Sequence, residues 1–178
     1  MIFEEKTLAS ERVYEGRILN LRRDKVTVRT GTSTREIVEH NGGAAAAAFT
    51  AADRIVLVRQ YRKTLERAVL EVPAGKIERG EDPQQAVRRE LKEETGYTAA
   101  EIVPLTAMAP SVGYTTEIDY LYLATGLTPG ATDLDLNEAI DVVEMDFEEV
   151  VGMIERGEIC DAKTIAAVLL AARRRARH

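Results

Sequence analysis

Short runs rich in β-branched residues, in which apolar and polar positions alternate, fill the first forty residues of this chain. Val13 to Leu21, Asp24 to Arg29 and Thr34 to His40 read as strands. Thr30-Gly31-Thr32-Ser33 is a turn signal that makes a hairpin of the last two. Asn41-Gly42-Gly43 breaks the pattern. Ala44 to Ala48 favours helix by propensity, yet Phe49-Thr50, a turn at Asp53 and the strand-like Arg54 to Gln60 point to another hairpin. Alanines on a strand leave room for something bulky, a helix or a partner subunit. The period then changes. Asp82-Pro83 is a helix start, with Gln85 at the third position, and Gly96 is a stop, so a helix is predicted over 83–95. Beyond it, Ile102 to Met108, Glu117 to Thr125 and Ile140 to Met145 read as strands, with a glycine-bearing loop at 110–116. Phe147 to Arg156 is a helix ended by Gly157, and Asp161 caps a last helix from Ala162 to Arg175. Strands on both sides of one helix, with others at the end, predict a mixed α/β or α+β domain.

The helix over 83–95 carries an anomaly. At about 100° per residue, Ala86, Val87 and Leu91 form the core-facing stripe, and Glu90 and Glu94 fall in the same sector with Glu93 at its edge. Arg88, Lys92 and Thr95 are expected on the opposite side. Carboxylates one turn apart repel, and a place beside an apolar stripe adds a desolvation cost. A bound hard cation explains the arrangement, because Mg²⁺ and its kind take carboxylate and carbonyl oxygens. With oxygen ligands on offer and no Cys/His cluster, the candidates are Mg²⁺ or Mn²⁺ rather than zinc.

Composition narrows the setting. The 178 residues are 45% apolar, enough for one good core, and the net charge of −6 argues against a general nucleic-acid binder. The longest apolar stretch, about Ala44 to Phe49, is far too short to span a membrane. One cysteine, Cys160, excludes an intrachain disulfide and suits a reducing compartment. Met1-Ile2-Phe3-Glu4-Glu5 lacks the basic opening of a signal peptide, so the expected location is cytoplasmic. Arg173-Arg174-Arg175 and Arg177 end the last helix, where cations complement its dipole.

Gly75, Glu81, Arg89, Glu90, Glu93, Glu94 and Gly96, with Leu91 and Tyr97 at apolar positions, resemble the Nudix box, G-x5-E-x7-R-E-U-x-E-E-x-G-U. At background frequencies of roughly 5–10% per residue, seven fixed matches arise by chance on the order of once in ten million. Further segments are similar to the ADP-ribose pyrophosphatase branch: Ile37 to His40, Val58 to Arg62, Glu71 to Gly75, Ser111 to Glu117 and Asn137 to Ile140. The resemblance implies a Nudix-type α/β/α sandwich with a mixed sheet (residues 41–178), preceded by an antiparallel strand region (1–40) that packs on a second subunit as a homodimer. It implies that Glu90, Glu94 and the Ala74 carbonyl hold the metal, with Glu93 sharing a metal or orienting its water. Arg89 is expected to pair with Glu81 or Glu93. Glu138, in a polar loop after a Pro-Gly break, is the candidate general base, with Glu93 next in line. Arg62, Ser111 and Glu117 are the candidates for substrate contact. Tyr61 and Tyr114 are read either as stacking partners for a base or as core.

The implied reaction is Mg²⁺-dependent hydrolysis of ADP-ribose to AMP and ribose 5-phosphate, with a nucleotide sugar as the only partner besides a second copy of the chain. The branch usually carries Ser-Pro-Gly after the box, whereas Pro110-Ser111-Val112-Gly113-Tyr114 has valine in the proline's place. That departure keeps open a broader nucleoside-diphosphate-sugar pyrophosphatase. A non-catalytic ADP-ribose sensor is a further alternative, although such modules typically lose box glutamates that this chain keeps.

Overall fold

The computed structural model describes residues 2–51, 53–134 and 139–176. Contacts divide the chain into two compact units: residues 1–42 with 109–118, and residues 43–108 with 119–178. The expected division at residue 40 left 109–118 with the second part.

The first unit is a three-stranded antiparallel meander of β1 (Thr7–Glu15), β2 (Asn20–Thr27) and β3 (Thr32–Glu39). The first strand lies earlier than the predicted 13–21. Gly16 N–H bonds to the Leu19 carbonyl, so the middle of that run is a turn. Every residue of β1 is exposed, so no burial alternation marks its ends. On β2, Asp24 and Val26 are buried. Val38 makes a parallel bridge to Thr115 of the 109–118 segment.

The second unit is built on a mixed sheet in the order β10-β5-β4-β9-β8, comprising β4 (Gly43–Ala51), β5 (Arg54–Arg62), β8 (Thr98–Met108), β9 (Asp119–Thr128) and β10 (Ile140–Asp146). Only β4 and β9 run parallel along this path. Helix α1 (Pro83–Thr95) covers one face, packing Ala86, Val87 and Leu91 on Ala44, Ala46 and Ala48. Helices α2 (Phe147–Glu155) and α3 (Ala162–Arg175) cover the other, meeting Ala45 and Ala47. The alanine run is therefore a strand whose small side chains admit helices on both sides. The predicted α/β/α sandwich is what forms.

Local caps set the helix ends. Asp82 accepts from the Gln84 and Gln85 amides, and Gly96 closes α1 in the left-handed conformation at φ 75°. Asp146 and Asp161 cap α2 and α3 in the same way.

Two short strands, β6 (Arg67–Glu71) and β7 (Ala74–Lys76), escape the sequence pattern. Strand β4 pairs with β5 only near its end, at Ala48 to Ala51, and with β7 at Gly43 to Ala45. Strand β5 in turn pairs with β6 from Val58 to Arg62. The sheet splits between β4 and β5, and residues 72–73 cross the gap, with Ala46 N–H bonded to the Pro73 carbonyl. This split brings the backbone of Ala74 and Gly75 beside α1.

Candidate active site

Glu94 is 4% exposed, and its Oε2 accepts the Ala74 amide at 2.9 Å. One turn earlier, Glu90 lies against Gly75 so closely that a Cβ there would fall within its carboxylate. Glycine is therefore required sterically at this point, and the two carboxylates flank the same dipeptide of β7. A pair of hard oxygen donors held against a backbone step fits a hard divalent cation. Among the described residues no three His, Cys, Asp or Glu side chains converge as a complete metal cage. Glu90, Glu94 and the peptide at Ala74 are thus the part of a donor set that the residues present can supply.

Arg89 organises the outer side of this helix. Its Nε and Nη2 donate to both Glu81 oxygens at 3.0 and 3.1 Å. Its Nη1 reaches Glu90 at 2.8 Å and Glu93 at 2.9 Å, and Nη2 also donates to the Lys76 carbonyl. One guanidinium thereby ties Glu81, in the loop before α1, to Glu90 and Glu93 on the helix. Its hydrogen bond to Glu81 raises the Arg89 pKa, against the effect of burial, and holds the Glu81 carboxyl below the ordinary range. Glu93 is the most open of the set, at 36% side-chain exposure.

Thr95 differs from expectation. It is buried, because it sits one turn beyond Leu91 and shares that face, and its hydroxyl donates to the Leu91 carbonyl at 2.5 Å.

Arg62, at the end of β5, is gripped by Glu71 through two bonds of 2.6 and 2.8 Å. Glu71 is 2% exposed and also accepts from Lys163 Nζ at 2.7 Å. Lys163 bridges onward to Asp161, the cap of α3, at 2.7 Å. Next to it, buried Thr164 donates to Asp161 at 2.6 Å and accepts the Val72 amide at 2.9 Å. The start of α3 therefore fixes residues 71–72, immediately before the Ala74–Gly75 step. Arg62 keeps its Nη1 edge for other partners, and Glu94 adds to the charges that raise its pKa. Nothing in the sequence pairs Glu71 with Lys163, 92 residues away.

Ser111 and Glu117 belong to the first unit. Ser111 is half-buried, with its carbonyl accepting the Thr115 amide at 3.3 Å. Glu117 lies 3.2 Å from His40 Nδ1. Tyr61 and Tyr114 are exposed and do not fill core. Cys160 is exposed, with Arg67 Nη2 at 3.1 Å from its sulfur. Glu138, the candidate general base, lies outside the described residues.

The NUDIX domain family matches residues 40–168, and a nucleoside diphosphate sugar hydrolase N-terminal domain matches residues 5–38. The chain belongs to the Nudix family, whose hydrolases generally use divalent metal ions. It is 44% identical over 170 residues to a methanol dehydrogenase activator of Bacillus methanolicus, covering 94% of this chain and 92% of that one. It is 41% identical over 168 residues to an ADP-ribose pyrophosphatase of Bacillus subtilis, covering 93% and 91%. A GDP-mannose pyrophosphatase of Klebsiella pneumoniae is 30% identical over 142 residues, covering 74% and 71%. The crystal structure of an ADP compounds hydrolase superposes with a TM-score of 0.85 at 21% identity, covering 97% of this chain and 95% of that one, a likeness of fold. The family read from the box and the branch read from the segments outside it hold along nearly the whole chain. Among the described residues no helix is long and apolar enough to cross a membrane.

Proposed function

We propose that the protein is a Mg²⁺-dependent ADP-ribose pyrophosphatase, acting in the cytoplasm as a homodimer. The observation that carries this reading is the pair Glu90 and Glu94 set against Ala74–Gly75, in a chain so similar to ADP-ribose pyrophosphatases. In the reaction, a water oxygen bonds to one phosphorus, the bridging P–O bond breaks, and AMP and ribose 5-phosphate leave. A divalent ion supplies charge neutralisation at the phosphates and acidifies bound water. The chain's own part is to hold Glu90 and Glu94 in place through Arg89, Gly75 and the Ala74 amide. Glu93 orients water, Glu138 takes its proton, and Arg62 offers its remaining N–H edge to a phosphate. Ser111 and Glu117 keep the substrate roles that the resemblance gives them. Exposed Leu8, Val13 and Tyr14 on β1 support the homodimer, since a second copy would cover apolar surface.

The test is ADP-ribose with Mg²⁺, Mn²⁺ or chelator, the products separated and identified. AMP formed only with a divalent ion is expected; turnover in excess chelator overturns the proposal. A broader nucleoside-diphosphate-sugar range is the second reading, favoured by Val112, which is 89% exposed where the branch usually has proline. Hydrolysis of GDP-mannose and ADP-glucose within a hundredfold of ADP-ribose in kcat/KM would establish it. The 44% relative adds one more assay, the turnover of methanol dehydrogenase with and without this protein.

A further inference from the structure

At the far end of β4 and β9 from Gly75 lies a cavity of about 330 Å³, bordered by Phe49, Thr50, Leu123, Gly126 and Arg175. Ala44 pairs with Gly75, and Thr50 lies six residue steps further along the strand. At about 3.3 Å per residue this places the cavity roughly 20 Å from the glutamate site. Its volume is at the small end of ligand pockets, which run from about 300 Å³.

Two features make it more than a gap in packing. The Arg175 guanidinium carbon sits 4.5 Å from the ring centroid of Phe49 and 4.9 Å from that of Phe147. The two rings meet edge to face, 5.0 Å apart, and among the described residues the cation is held by aromatic contact and not by a carboxylate. Ring faces attract the charge but are only weak acceptors for its N–H groups. Accordingly, Arg175 Nη1 is buried without a hydrogen bond, and so is Thr50 Oγ1. Among the described residues these are the two buried side-chain polar atoms that lack one, and both belong to residues lining this cavity. A buried donor left without a partner keeps its desolvation cost unrepaid, the more so when it is charged.

We propose that this cavity binds a small organic monocarboxylate with an apolar body. Both atoms are closed to water before binding, so the two side chains turn toward the cavity as the ligand enters. One carboxylate oxygen then accepts from Arg175 Nη1 and the other from the Thr50 hydroxyl, while Phe49 and Leu123 cover the hydrocarbon. A single guanidinium and a neutral hydroxyl match one negative charge. An inorganic phosphate would bring more charge and no apolar surface to a wall made mostly of carbon. The inference stands apart from the hydrolase reading, since none of these residues touches the glutamate site.

Benzoate is the probe, with benzamide as its neutral shape-mate and inorganic phosphate as the anion control. Each is titrated into the ¹⁵N-labelled full chain and followed by amide shifts. Benzoate is expected to shift Phe49–Ala51 and Leu123–Gly126 saturably with Kd below about 1 mM, that is, beyond about −4 kcal/mol. Benzamide should bind at least tenfold more weakly, and phosphate should leave these amides unmoved. Arg175→Met, which keeps an apolar stem over the rings, and Thr50→Val should each weaken benzoate at least tenfold and leave basal hydrolysis unchanged. The variants' own spectra report whether they fold, and either one suffices. Equal binding of benzoate and benzamide, shifts confined to the α1 glutamates, phosphate binding at the same amides, or no saturable shift at all would overturn the proposal.

Discussion

Replacing Lys163 with methionine tests the junction that fixes the backbone before the site. The change keeps the aliphatic stem and removes an ammonium that lies 2.7 Å from both Glu71 and Asp161. Breaking a fully buried pair costs about 3–5 kcal/mol when it strands the partner's charge. Here Glu71 retains Arg62, and the Lys163 side chain is 20% exposed. Two lost charge-assisted hydrogen bonds, partly compensated, lead to an expected loss of about 2–3 kcal/mol. For a chain of this size that is a fall in Tm of roughly 5–10 °C.

The pH dependence separates a charge effect from a packing effect. Burial pushes the Glu71 carboxyl up, but the hydrogen bonds and charges of Arg62 and Lys163 outweigh it, and its pKa lies below the ordinary range. A depressed carboxyl stabilises the fold above its unfolded value, about 4.3, and the contribution disappears as pH falls through the folded value. Burial likewise pushes Lys163 down, while Asp161 and Glu71 bring its net shift upward. Its contribution is complete below the ordinary lysine pKa of about 10.4 and disappears as pH rises through the folded value. The difference between wild type and Lys163→Met should therefore be level from about pH 5 to 9 and shrink at both extremes. Urea unfolding at a series of pH values measures it. A difference under about 0.5 kcal/mol at pH 7, or one unchanged between pH 3 and 7, would refute the reasoning.

At the site itself, Glu94→Gln should still accept the Ala74 amide and keep the wild-type melting curve, yet lose at least about a hundredfold in kcat, because a metal's Lewis-acid role is worth several kcal/mol; steady-state assays across Mg²⁺ concentrations would show it. Gly75→Ala should displace the Glu90 carboxylate and cut kcat/KM at least about tenfold, with circular dichroism unchanged; a fully active variant would contradict the close approach seen at this residue. Glu138→Gln should lower kcat by about 10²–10⁴-fold with KM little altered, as expected of a general base, and a loss under about fivefold would move that role to Glu93.

Elements whose causes are local were readable from the chain. Asp82-Pro83 and Gly96 carry their own capping chemistry, and α1 begins and ends where they place it. Where neither burial nor a cap marks an end, the reading slipped: β1 is exposed throughout, so its expected bounds of 13–21 missed the turn after Gly16. Strands β6 and β7 were hidden for another reason. They exist because β4 and β5 diverge, which is a property of pairing between distant segments and leaves no mark in either. The Glu71–Lys163 junction was illegible on the same grounds, and so was the Arg175 stack on Phe49 and Phe147, which looked like a plain basic helix end. The site betrayed itself by breaking a rule. An amphipathic helix that serves packing alone keeps carboxylates off its buried stripe, and α1 places Glu90 and Glu94 on it, 15% and 4% exposed. What periodicity could not supply was the object they face. That is the Ala74–Gly75 step, brought to them across a split in the sheet and held from behind by the start of α3, so the placing of the α1 glutamates depends on residues that share no motif with that helix.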